Sequence, residues 1–115
     1  MWRPGYAVDM DLTTAFVRST ADGRVDVVVN FGPLSGREAT QAEVDRLARR
    51  VLTVAGDVRV HAVRTHDMGS DHETIVHQVV VEAEASADQA DAVREICEDW
   101  ALDCAEERSL SPLPL

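Results

Sequence analysis

The sequence predicts an α+β domain made of two ββα halves, with a four-stranded antiparallel sheet and two helices on one of its faces. Three observations predict it. The segment AFVRSTADG at residues 15–23 returns forty-six positions later as HAVRTHDMG at residues 61–69. Two helix-start signatures, Thr40 with Glu43 and Ser86 with Gln89, stand at the same offset. In each, the hydroxyl and the side chain three residues on can satisfy N–H groups that a first helical turn leaves open. Finally, DVVVN at 26–30 matches QVVVE at 78–82 at an offset of fifty-two.

The elements follow in order. Residues 1–11 form an irregular opening that contains Pro4 and Gly5. Residues 12–19 read as a strand, Ala21-Asp22-Gly23 as a three-residue turn and residues 24–31 as a second strand, since a short loop ending in Gly closes many hairpins. GPLSGRE, residues 32–38, reads as a loop. After Thr40, the helical spacing of Val44, Leu47, Val51 and Val54 predicts a helix to about Ala55, stopped by Gly56. Residues 58–66 then predict a strand, DMGSD a turn, and residues 73–83 a strand rich in β-branched side chains. Behind the second cap, Ala90, Val93, Cys97, Trp100 and Ala101 repeat the apolar face of the first helix. The segment from Cys104 reads as a tail whose first half could instead add an edge strand; Pro112 and Pro114 exclude strand beyond Ser111. The domain is placed at residues 12–108, with residues 109–115 outside it.

A hairpin with one helix is marginal by itself, so the halves are expected to pool their apolar sides. The result resembles the ferredoxin-like two-layer sandwich in permuted order, with the first strand at the edge that a C-terminal strand fills in βαββαβ chains. Alternation assigns Phe16, Val27, Val29, Phe31, Val58, Val60, Val79 and Val81 to the side beneath the helices. The other face carries Ala15, Val17, Val28, Val63, Val76 and Val80 with Asn30, Arg59, His61 and Gln78. So apolar a face predicts a covering surface, first of all a homodimer closed sheet on sheet. The alternative cover is the opening segment, with Trp2 and Tyr6.

Composition narrows the partners. A chain of 115 residues with 45% apolar content supports one core. A net charge of −10 repels polyphosphate and anionic lipid, which excludes nucleic acid and membrane surfaces as partners. All eleven basic residues are Arg, which reflects coding bias more than recognition. Cys97 and Cys104 lie seven residues apart on one helix, about 10 Å, too far to bridge. Free thiols, with no signal-like or membrane-spanning apolar run, predict a cytoplasmic protein.

The candidate sites cluster in the second half. His61, His66, His72 and His77 all fall in the second hairpin. His66, Asp67, Asp71 and His72 combine imidazole and carboxylate, the donors that suit a divalent transition metal. They would have to converge at a hairpin tip, and His61 and His77 point to opposite faces, so neither a metal nor another cofactor is expected. His77 falls among core-facing valines. His61, beside Asn30, Arg59 and Gln78 on the apolar face, could bind a small organic ligand and act on it as acid or base. Gly32, Ser35, Gly36 and Arg37 precede a helix N-terminus, where N–H groups hold anions, yet the spacing fits no phosphate-loop pattern. That loop's place in the topology resembles the small-molecule site of ACT-like regulatory domains, but the small-residue-to-Leu pattern entering the helix is absent. The acidic run from Glu82 to Glu107 reads as a solvated face. The expected function is a small binding or regulatory module acting as a homo-oligomer on a small molecule or protein. The alternatives are an enzyme using His61 and a metal-binding hairpin.

Overall fold

The computed structural model describes residues 14–110, and their side chains as far as residue 107. Strands β1 (Ala15–Ala21) and β2 (Arg24–Val29) form the first hairpin, followed by a short helix α1 (Phe31–Ser35) and helix α2 (Gln41–Val51). Strands β3 (Val58–Met68) and β4 (Glu73–Glu84) form a longer hairpin, and a 3-10 turn (Ala87–Gln89) leads into helix α3 (Ala90–Leu110). The fold is α+β, with a four-stranded antiparallel sheet in the order β1-β2-β4-β3. Among the described residues no helix is long and apolar enough to cross a membrane. The opening segment with Trp2 and Tyr6, and Pro112 and Pro114, lie outside the described residues.

The first hairpin turns on two residues rather than three. Asp22 and Gly23 both have positive φ, 55° and 74°, and Ala21 pairs with Arg24. Two successive left-handed residues give the tight turn whose twist suits paired strands. The register then slips between Val17 and Ser19, leaving Arg18 as the extra residue of a bulge. Because side chains alternate with period two, one extra residue exchanges the faces of everything beyond it. Phe16, expected beneath the helices, therefore lies opposite Val28 on the far face and is 38% exposed. Ala15 and Val17 take the core side in its place.

The valines of β2 and β4 build the core. Val25, Val27, Val29, Val79 and Val81 pack with Leu47 and Val51 of α2 and with Val93, Cys97 and Trp100 of α3. Buried indoles need a partner for their N–H. Trp100 Nε1 donates to the Glu43 carbonyl at 2.9 Å, and its ring lies 5.2 Å from that of Phe31. Helix α2 opens on the expected capping box, Thr40 Oγ1 accepting from Glu43 N–H and Glu43 Oε1 from Thr40 N–H. At the second cap, Gln89 Oε1 accepts from Ser86 N–H at 3.0 Å while Gln89 Nε2 donates to the Val54 carbonyl at 2.9 Å. That bond ties the start of α3 to the end of α2. Helix α3 runs through Cys104 to Leu110, so this segment is neither tail nor edge strand; both cysteines are free and buried.

Candidate functional site

On the face away from the core the register aligns Phe16, Val28, Val80 and His61 across all four strands. Val28 and Val80 are buried although they lie outside the core cluster, and His61, Val63 and Val76 are half-buried around them. A polar row borders these residues on one side, where Asn30 Oδ1 accepts from Gln78 Nε2 at 2.9 Å and Gln78 faces Val63. A charged row borders them on the other, with Asp26 opposite Glu82 and Glu82 opposite Arg59. Like charges directly across strands repel unless paired. Arg18 answers Asp26 at 3.7 Å and Arg24 answers Glu82 at 3.9 Å.

The four residues singled out from sequence for ligand binding share this face. Asn30 and Gln78 are joined by that hydrogen bond, and Arg59 stands opposite Glu82. His61 faces Val80, with Arg59 and Val63 two residues away along its own strand. A catalytic imidazole needs a polar neighbour that fixes its tautomer. Among the described residues no side chain hydrogen-bonds the His61 ring.

The hairpin tip does not gather its donors. His66 Nε2 pairs with Glu73 Oε2 at 2.5 Å, His72 Nδ1 lies 3.4 Å from Asp71 Oδ1, and Asp67 faces Thr74 on the opposite side of the ribbon from His66. Among the described residues no group of three or more His, Cys, Asp or Glu is placed to hold a metal ion. His77 lies opposite Arg64, on the opposite side of the ribbon from His61. Gly32 packs against its backbone, and among the described residues the buried ring Nδ1 has no hydrogen-bond partner.

The segment read as an anion-holding loop is instead α1 and a clamp. Gly36, at φ 79°, caps α1 by donating its N–H to the Gly32 carbonyl at 2.7 Å, and Ser35 Oγ donates to the Phe31 carbonyl at 2.8 Å. Arg37 donates from both terminal nitrogens to the Glu43 carboxylate, at 2.8 and 2.7 Å, and lies 5.3 Å over the Phe31 ring. The guanidinium beside it pulls the Glu43 carboxyl down to about 2, against the opposing effect of burial. Both charges are thus committed to each other in a fork that leaves the guanidinium little capacity for a ligand. Sequence reasoning missed this pair, although the Glu of the capping box six residues after Arg37 was its available signal. Beside α1 runs a groove of about 320 Å³ lined by Gly32, Pro33, Gly36, Ile75, Val76 and His77. A second concavity of about 320 Å³, lined by Arg24, Asp57, Arg59, Glu82 and Glu84, lies at the far end of the sheet and mixes both charge signs. Set against protein-family models, curated proteins and solved structures, the chain matches none.

Proposed function

We propose that this protein works by binding rather than by catalysis, as a homodimer closed through the sheet face that the helices leave uncovered. The observation that carries the reading is Phe16, which the bulge at Arg18 turns outward beside Val28 and Val80. A half-exposed aromatic next to buried valines gains by further burial, about 25 cal/mol for each Å² removed from water. The bordering row supports a self-contact, because Arg18, Arg24, Asp26 and Glu82 offer both signs to a copy of themselves turned by a two-fold axis. The overall charge of −10 opposes association, which assigns the attraction to this patch and its charge pattern.

The same reading takes the chain as a ferredoxin-like sandwich of two related halves. It is supported by the ββα order of the elements in each half, by the sheet order β1-β2-β4-β3 and by the two caps at one offset. Two free, buried thiols support a reducing, cytoplasmic setting. Ligands of such a module, a small molecule or a protein, would be read at the dimer face beside Asn30, Arg59, His61 and Gln78.

Light scattering after gel filtration tests the contact. Over about 1 to 100 μM the wild type is expected to show at least twice the mass of Phe16→Glu, with unchanged far-ultraviolet circular dichroism. Equal masses for the two proteins would defeat the reading.

A further inference from the structure

Strand β3 is an edge of the sheet, eleven residues long and paired to β4 without a register slip. Long, regular edges invite another strand and are usually blunted, as the bulge at Arg18 blunts β1 at the other edge. The backbone direction on β3 is fixed by the bonds at its start. Gly56 N–H donates to the Glu84 carbonyl at 2.9 Å and Glu84 N–H to the Asp57 carbonyl at 2.8 Å. Alternation along the register then turns the N–H and C=O of Arg59, His61, Val63, Thr65 and Asp67 toward β4. Those of Val58, Val60, Ala62, Arg64, His66 and Met68 face outward, ready for a further strand.

The charges on this edge are unspent. Among the described side chains, Arg59 and Arg64 are the arginines without a carboxylate partner, and Asp67 has no cationic one. Suppose a second copy of β3 lies antiparallel to the first about Val63, the midpoint of Val58–Met68. Every residue of the strand then has a partner. Arg59 stands across from Asp67 of the second copy and Asp67 from its Arg59; exposed Met68 meets Val58, and Arg64 meets Ala62. Moving the axis to Arg64 would set two guanidinium groups face to face. The register that pairs the whole strand is therefore also the one that matches its charges. We infer that β3 pairs antiparallel with β3 of a second copy, joining two sheets into one. This contact uses an edge where the proposed homodimer uses a face, and it does not rest on that proposal.

In the inferred pairing Val63 meets its own copy at a position without ladder hydrogen bonds, where Cβ atoms come closest and a disulfide can form. Native Cys97 and Cys104 are buried and stay out of the reaction. Mild oxidation of Val63→Cys should give a reducible dimer on a denaturing gel, whereas Val76→Cys, on the same face but off the edge, should not. Asp67→Arg should weaken the edge contact about tenfold, and adding Arg59→Asp should restore it. Cross-linking should persist when Phe16→Glu is added, which separates failure of the edge from failure of the face. A Val63→Cys protein that stays uncross-linked, or an Asp67→Arg defect that the second reversal leaves unrepaired, would overturn the inference.

Discussion

Replacing Arg37 by methionine removes the guanidinium fork on Glu43 while keeping aliphatic cover over Phe31. In the wild type the Glu43 carboxyl falls from an ordinary 4.5 to about 2, chiefly through Arg37 and secondarily through the Thr40 N–H. At about 1.4 kcal/mol for each pKa unit that lowering corresponds to about 3 kcal/mol. Arg37 is 28% exposed and Glu43 14%, so screening trims the expected effect to about 2 kcal/mol. The sign is fixed by the direction of the shift. A carboxyl held low stabilises the fold above its unfolded value of 4.5, and that stability is lost as the pH falls toward 2. Urea unfolding followed by circular dichroism, at one low protein concentration and at steps from neutral to about pH 3, reads the effect. Arg37→Met should be weaker than wild type by about 2 kcal/mol at neutral pH, with the gap closing steadily below about pH 4.5. Two curves that run parallel, or coincide at neutral pH, would refute the clamp and reopen Arg37 as a ligand-binding residue.

Three further outcomes follow from the same physics. Burial pushes the Cys97 thiol up to about 12 and raises that of Cys104 as well, so a thiol reagent at about pH 8 should label neither until the protein is unfolded. Fast labelling of the native protein would contradict their placement. In Gly32→Ala the new methyl would meet the backbone N and O of His77 at 3.1 Å, and the expected loss is about 1–2 kcal/mol in urea unfolding; an unchanged midpoint would show that α1 does not rest on β4. At the turn, Asp22→Val places a β-branched residue at φ 55° and should cost about 1 kcal/mol, whereas Asp22→Asn should be neutral or slightly stabilising. Equal stability of these two variants would rule out the two-residue turn.

The parts of the fold that could be read from sequence are those set by short-range chemistry. Capping boxes at Thr40 and Ser86 and valine alternation in β2 and β4 depend on neighbours within a few residues, and the structure has both. Alternation alone misplaces Phe16 because a bulge is a property of paired strands: without the slip at Arg18 it would face Val29 on the core side. Helix α1 reads as loop in the sequence because five residues with Gly32 and Pro33 among them, stopped by Gly36, carry no helical period. The polar face was half visible. Alternation put Arg59, His61 and Gln78 on one side, but the bond between Asn30 and Gln78 joins residues forty-eight apart and needed the register of β2 on β4. The charge symmetry of β3 likewise means nothing until the strand's ends and the outward direction of its N–H groups are known.

That the face bearing Phe16 receives a second copy is tested most directly by amide NMR spectra recorded across a dilution series. The resonances of Phe16, Val28, Asn30 and Val80 should move together as the protein is diluted, while those on the solvent side of α2 stay in place. Resonances on the sheet face that hold still while the mass falls, or shifts confined to the helices, would contradict the account.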